Sequence, residues 1–138
     1  MDVLFAVMPF ADVNRPAIGV SLLKAGVERR GFTARVEYFN LDLAELVGFD
    51  AYDRFANGFS TETLAGEWFF ADVAFGDSIP HGREFALKIL SKMAGPEELN
   101  GPVAAARARR EEFVEACAAR IRAARPRVVG FTTTFHQT

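Results

Sequence analysis

The sequence predicts an α/β fold: a partial doubly wound parallel sheet, strand order 2-1-3, with a helical insertion before strand 3. Three observations predict it. Residues 3–7, Val-Leu-Phe-Ala-Val, and the stretch Val128, Val129, Phe131 are short apolar runs of the kind that form strands buried on both faces. A helical segment separates the first run from a strand-like stretch at 33–39, which is the pattern of a βαβ unit. The connection 41–126 far exceeds the dozen or so residues that a crossover needs, so it carries helices of its own.

The elements follow in order. Pro9 bounds the first strand, and Asp12 to Pro16 is turn chemistry, with Pro16 suited to the first turn of a helix over 17–30. Gly31 is placed to end that helix. Ile18, Leu22, Ala25 and Val27 lie near one stripe, which predicts the face packed on the sheet. Thr33 to Phe39 gives the second strand. Within the insertion, helices are expected at 41–47, 51–56, 61–75, 83–93 and 103–124, separated by glycine and proline. Pro126 leads into the third strand at 127–131. Of the aromatic stretch Trp68, Phe69, Phe70, Val73 and Phe75, packing is the expected role, and Glu67 beside it requires solvent or a partner. Cys117 shares a helical face with Phe113, Val114 and Ile121, the setting of a small core residue.

A chain of 138 residues holds one domain. Hydrophobic residues at 50% and charged residues at 25% are globular proportions, which excludes a disordered or fibrous chain. The net charge of −2 supplies no field to draw the protein to nucleic acid or an anionic membrane. The arginines at 107–127 are read as a solvated helix face beside Glu111, Glu112 and Glu115. One cysteine makes no internal disulfide and no cysteine cluster, a composition suited to a reducing cytoplasm. The opening apolar run is too short to span a bilayer, and Asp2 stands where a signal peptide needs positive charge.

With strand one central, winding reverses between strands one and three. Ligands of such sheets bind at that switch point, outside the carboxyl ends of the strands. The candidate cofactor-binding residues are therefore Pro9, Phe10, Asn14, Arg15 and Pro16 in the first loop, and Thr132, Thr133, Thr134 and Gln137 after the third strand. Arg15 can contact a carboxamide or phosphate, or serve only as an ion-paired loop residue. The threonines can bond a cofactor or merely satisfy the strand end. His136 is read as a solvated loop histidine.

Three segments together resemble one family: Met-Pro-Phe-Ala-Asp-Val-Asn-Arg-Pro-Ala-Ile-Gly from Met8, Leu-Ala-Gly-Glu-Trp-Phe-Phe from Leu64, and Val-Val-Gly-Phe-Thr-Thr-Thr-Phe from Val128. The sequence resembles the N-terminal, cobalamin-binding-type (Rossmann-like) domain of the radical SAM C-methyltransferases that mature ribosomally made peptides of the bacteriocin type. The resemblance spans residues 1–138 with the insertion at about 41–126. It implies cobalamin as cofactor here, and S-adenosylmethionine and a [4Fe-4S] cluster in a downstream radical SAM domain. The partners it implies are that domain and a precursor peptide.

The chain is expected to hold only the beginning of such an enzyme. It has no Cys-x3-Cys-x2-Cys motif, and one thiolate cannot hold the cluster, so this portion alone should be inactive. It also lacks the Asp-x-His-x-x-Gly pattern that supplies a lower cobalt ligand: Ile79 precedes His81, and Thr134 precedes His136. Two other readings stand beside this one. A free-standing flavodoxin-like module could bind a nucleotide or a protein without catalysis, although the first strand-to-helix turn has neither Gly-x-Gly-x-x-Gly nor a Walker loop. An inert truncated product is the third.

Overall fold

The apolar run at the start of the chain forms the central strand of a three-stranded, all-parallel sheet. A computed structural model describes residues 1–76, 97 and 101–133. Strand β1 (Val3–Val7) is flanked by β2 (Ala34–Tyr38) and β3 (Val128–Phe131), giving the order β2-β1-β3. Phe5 sits opposite Val36 on one side and Gly130 on the other. Gly130 serves close approach, since a Cβ there would stand 3.2 Å from the Phe5 ring. At the amino ends of the strands Asp2 ties the sheet together. Its carboxylate accepts the Thr33 N–H at 2.9 Å and hydroxyl at 2.8 Å and meets Arg127 at 3.3 Å.

Helix α1 (Ile18–Glu28) crosses from β1 to β2, and Gly31, at φ +82°, lets the chain turn out of it. The inward side of α1 differs from the expected stripe. Val20 is buried, with Lys24, Ala25 and Val27 partly covered, whereas Ile18 and Leu22 of the expected stripe are 64% and 68% exposed. Residues 20, 24 and 27 lie roughly opposite 18 and 22 around a helix of 3.6 residues per turn, so Val27 of the expected stripe sits on the other side from Ile18 and Leu22. Apolar residues occupy both sides of α1, so periodicity alone could not choose which one meets the sheet.

Leu4 and Ala6 of β1 point to the other face, where the insertion builds the main core. Helices α2 (Phe39–Val47), α3 (Phe49–Asp53) and α4 (Ala65–Phe75), with α5 (Pro102–Ala108) and α6 (Arg110–Ala124), contribute Phe39, Leu43, Tyr52, Phe69, Val103 and Phe113 to it. No α1 residue joins this cluster, so helices cover both faces of the sheet. A π-helical turn at Arg54–Gly58 and a 3₁₀ turn at Thr61–Thr63 link α3 to α4.

Two expected helices are broken. The segment 61–75 bends at Leu64, which has φ +49°. The segment 103–124 breaks at Arg109, whose guanidinium bonds Glu112 at 2.8 and 2.9 Å and the Leu46 carbonyl at 3.2 Å. The third change is at 51–56, where the helix starts earlier, at Phe49, and widens into the π turn after Asp53. The helix expected at 83–93 lies outside the described residues. Cys117 is buried beside Phe113, and burial pushes its thiol up to about 12. Glu67 is exposed in the first turn of α4, so solvent satisfies it. The arginines at 107–127 are largely engaged. Arg110 makes a two-pronged bond to Asp72 at 2.6 and 2.8 Å, Arg107 meets Asp72 at 2.9 Å, and Arg120 reaches Glu37 and Asp42.

Candidate functional site

The carboxyl end of β1 opens into a loop, 8–17, that is held from three directions. Thr132, directly after β3, accepts the Met8 N–H on its hydroxyl at 2.9 Å and donates its own N–H to the Ala6 carbonyl at 3.0 Å. The Tyr52 hydroxyl of α3 donates to the Ala11 carbonyl at 2.6 Å, and the Asn40 amide of α2 donates to the same oxygen at 3.4 Å. Within the loop, Asp12 accepts the Asn14 N–H at 2.7 Å and pairs with Arg15 at 3.3 Å. Burial, with the Asp12 carboxylate nearby, holds the Tyr52 hydroxyl well above the usual tyrosine range, so it remains a donor.

Between this loop, the start of α1 and the β2–α2 junction lies a half-open cavity of 690 Å³. Such a volume falls in the range of small-molecule sites. Val7, Val20, Tyr38 and Leu41 give it apolar walls, and Asn14, Arg15, Asn40, Asn57 and Thr132 give it polar groups. Asn40 is 3% exposed, and its side-chain oxygen is buried without a hydrogen-bond partner. The site therefore combines apolar walls with polar groups at its rim, among them Arg15, whose side chain is 85% exposed. It can hold an uncharged or anionic polar ligand. Among the described residues no group of three His, Cys, Asp or Glu is placed to hold a metal ion, and no helix is long and apolar enough to cross a membrane.

Of the expected site residues, Asn14, Arg15, Pro16 and Thr132 line the cavity. Phe10 is 4% exposed and sits at the centre of an aromatic cluster, 5.1 Å from Phe55, 5.3 Å from Phe69 and 5.4 Å from Tyr52. Pro9 and Thr133 are not among the lining residues. Thr134, His136 and Gln137 lie outside the described residues. Asn40 was missed. It stands directly behind the second strand, in the apolar context Tyr-Phe-Asn-Leu, and the same rule that selects the end of strand one also applies there.

No protein-family model, curated protein or solved structure matches this chain. Functional assignment thus rests on the cavity and on the sequence segments quoted above.

Proposed function

We propose that the chain forms part of a cobalamin-binding-type domain of a radical SAM C-methyltransferase acting on ribosomally synthesised peptides. The observation that carries the reading is the cavity at the carboxyl end of the central strand, bounded by the Met8 and Thr132 segments of the family resemblance. Its residues fit a carboxamide-rimmed cofactor. Arg15 and Asn14 can donate to amide carbonyls. The described lining residues that would hold the cofactor are those that can reach its carboxamide rim.

When bound, cobalamin supplies a transferable methyl group. This chain's own part is to bind and orient. The Thr132 link keeps the two loops in register, Tyr52 fixes the Ala11 carbonyl, and Val7, Val20 and Leu41 exclude water from one side. Under this reading S-adenosylmethionine and the [4Fe-4S] cluster belong to a separate domain, because Cys117 is buried and single. The precursor peptide and that domain are the partners.

Equilibrium dialysis of hydroxocobalamin against the polypeptide that joins this chain to its radical SAM domain tests the reading. Saturable binding that falls about tenfold or more in an Asn14→Ala, Arg15→Ala variant is expected, from two lost polar contacts of about 1 kcal/mol each. Unchanged binding would overturn it. So would a reading frame containing this chain but no Cys-x3-Cys-x2-Cys motif.

A further inference from the structure

Helix α1 is apolar on two sides, and the sheet covers only one of them. Val20 is its buried residue, while Ile18 and Leu22 stand 64% and 68% exposed on the far side. Residues 18, 22, 25 and 29 follow the spacing 4-3-4, which at 100° per residue keeps them within about 60° of one another. Ile18, Leu22 and the partly covered Ala25 therefore form a narrow outward stripe, and the exposed Arg29 closes it. The packing of α1 on the sheet does not require that stripe, since polar residues there would leave the inward side unchanged. Aliphatic surface grouped in one place on the outside of a helix marks an interaction site.

The charge around the stripe selects its occupant. Arg15 is paired with Asp12 at 3.3 Å and Lys24 with Glu28 at 2.8 Å. Arg30 turns back to the Gly26 carbonyl at 3.2 Å, and neither Arg29 nor Arg30 meets a carboxylate among the described residues. The end of the stripe thus carries unanswered positive charge. A second copy of the chain cannot answer it. Parallel pairing along the stripe sets Arg29 against Arg29, and antiparallel pairing, with Leu22 on Ala25, sets each Arg29 against Ile18 of the other copy. A bilayer also fits poorly, because a helix lying in an interface presents a broad apolar arc and this one spans about 60°.

We propose that the outward stripe of α1 docks an acidic amphipathic helix, with aliphatic side chains against Ile18, Leu22 and Ala25 and a carboxylate against Arg29. The 4-3-4 spacing is that of a two-helix contact, and charge at one end fixes the direction of the incoming helix. The surface goes beyond the cofactor reading and stands without it.

Fluorescence anisotropy with two labelled synthetic peptides tests the proposal. Each has about three heptads with leucine at both core positions; one carries glutamate at the flanking positions and the other lysine, and these like charges keep each from pairing with itself. The glutamate peptide is expected to bind saturably below about 1 mM, and the lysine peptide about tenfold more weakly or not at all. Leu22→Gln should weaken the glutamate peptide about tenfold, and Arg29→Glu about fivefold while strengthening the lysine peptide. Phe75→Ser, 68% exposed in the helical layer on the opposite face of the sheet, should change neither. All three sites are exposed, so a Tm within about 2 °C of the parent separates lost docking from lost folding, and Ile18→Gln repeats the test should a variant unfold. Absence of saturable binding, equal affinity for the two peptides, or a loss in Phe75→Ser as large as in Leu22→Gln would overturn the proposal. Sedimentation velocity and flotation with phosphatidylserine vesicles are expected to show a monomer that leaves vesicles alone. A dimer or a vesicle-bound form that Leu22→Gln abolishes would give the stripe to a second copy or to a membrane and overturn the peptide partner.

Discussion

Replacing Phe10 by alanine separates a packing role from a ligand-contacting one. The ring is 4% exposed and meets four aromatic neighbours, with centroids 5.1 to 6.0 Å away. A buried phenylalanine removes about 150–250 Å² from water, and roughly two-thirds of that is lost on truncation to alanine, or about 3 kcal/mol at ~25 cal/mol per Å². The cavity left among Tyr52, Phe55 and Phe69 adds to this, so a loss of about 3–5 kcal/mol is expected. Urea unfolding followed by circular dichroism measures it as a lower midpoint at unchanged slope. For a chain of this size the corresponding fall in Tm is on the order of 10 °C. Phe10→Leu, which keeps most of the volume, should cost less than about 1.5 kcal/mol. A Phe10→Ala protein within about 1 kcal/mol of the parent would refute the argument, because the residue would then not be holding the aromatic cluster together.

Three further outcomes are expected. Burial raises the Asp72 pKa, but Arg110 and Arg107 outweigh it and hold the carboxyl below its ordinary value. Its contribution is therefore full above about pH 4 and is lost as pH falls through the lowered folded value, so Asp72→Asn should flatten acid unfolding below pH 4 and cost about 1–3 kcal/mol at pH 7, read by urea titration. Cys117, with its thiol pushed up to about 12, should resist Ellman's reagent at pH 8 in the native protein and react once urea unfolds it; rapid native labelling would contradict its burial. Reconstitution of this chain with iron, sulfide and S-adenosylmethionine should yield no 5′-deoxyadenosine above background by chromatography, since one thiolate cannot anchor the cluster.

The sheet was legible because β1 is apolar along its whole length, which only a central strand of a covered sheet requires, and because one helix-length connection separates it from β2. The order β2-β1-β3 follows from crossover handedness and the usual winding. The inward side of α1 was not legible, since Val20 and Leu22 are equally apolar and only the position of the sheet decides between them. Nor were the breaks at Leu64 and Arg109, which contain no glycine or proline; at Arg109 the bend coincides with bonds to Glu112 and to the distant Leu46 carbonyl. At the site, the loop 8–17 could be found by topology alone. Asn40 reads locally as the opening of a helix, and its significance depends on the Ala11 carbonyl, twenty-nine residues earlier, taking one end of the amide.

The single tryptophan has an optical consequence. Trp68 is partly buried in α4 under the Arg107 guanidinium, whose central carbon lies 4.3 Å from the ring centroid, and it does not line the cavity. Its emission therefore reads the seam between α4 and α5, and will shift when the helical layer comes apart. Filling the cavity leaves that seam untouched, so intrinsic fluorescence is a faithful gauge of unfolding and a silent one for ligand titration. Tyr38 does line the cavity, and a tryptophan installed there would place the chromophore where occupancy changes its surroundings.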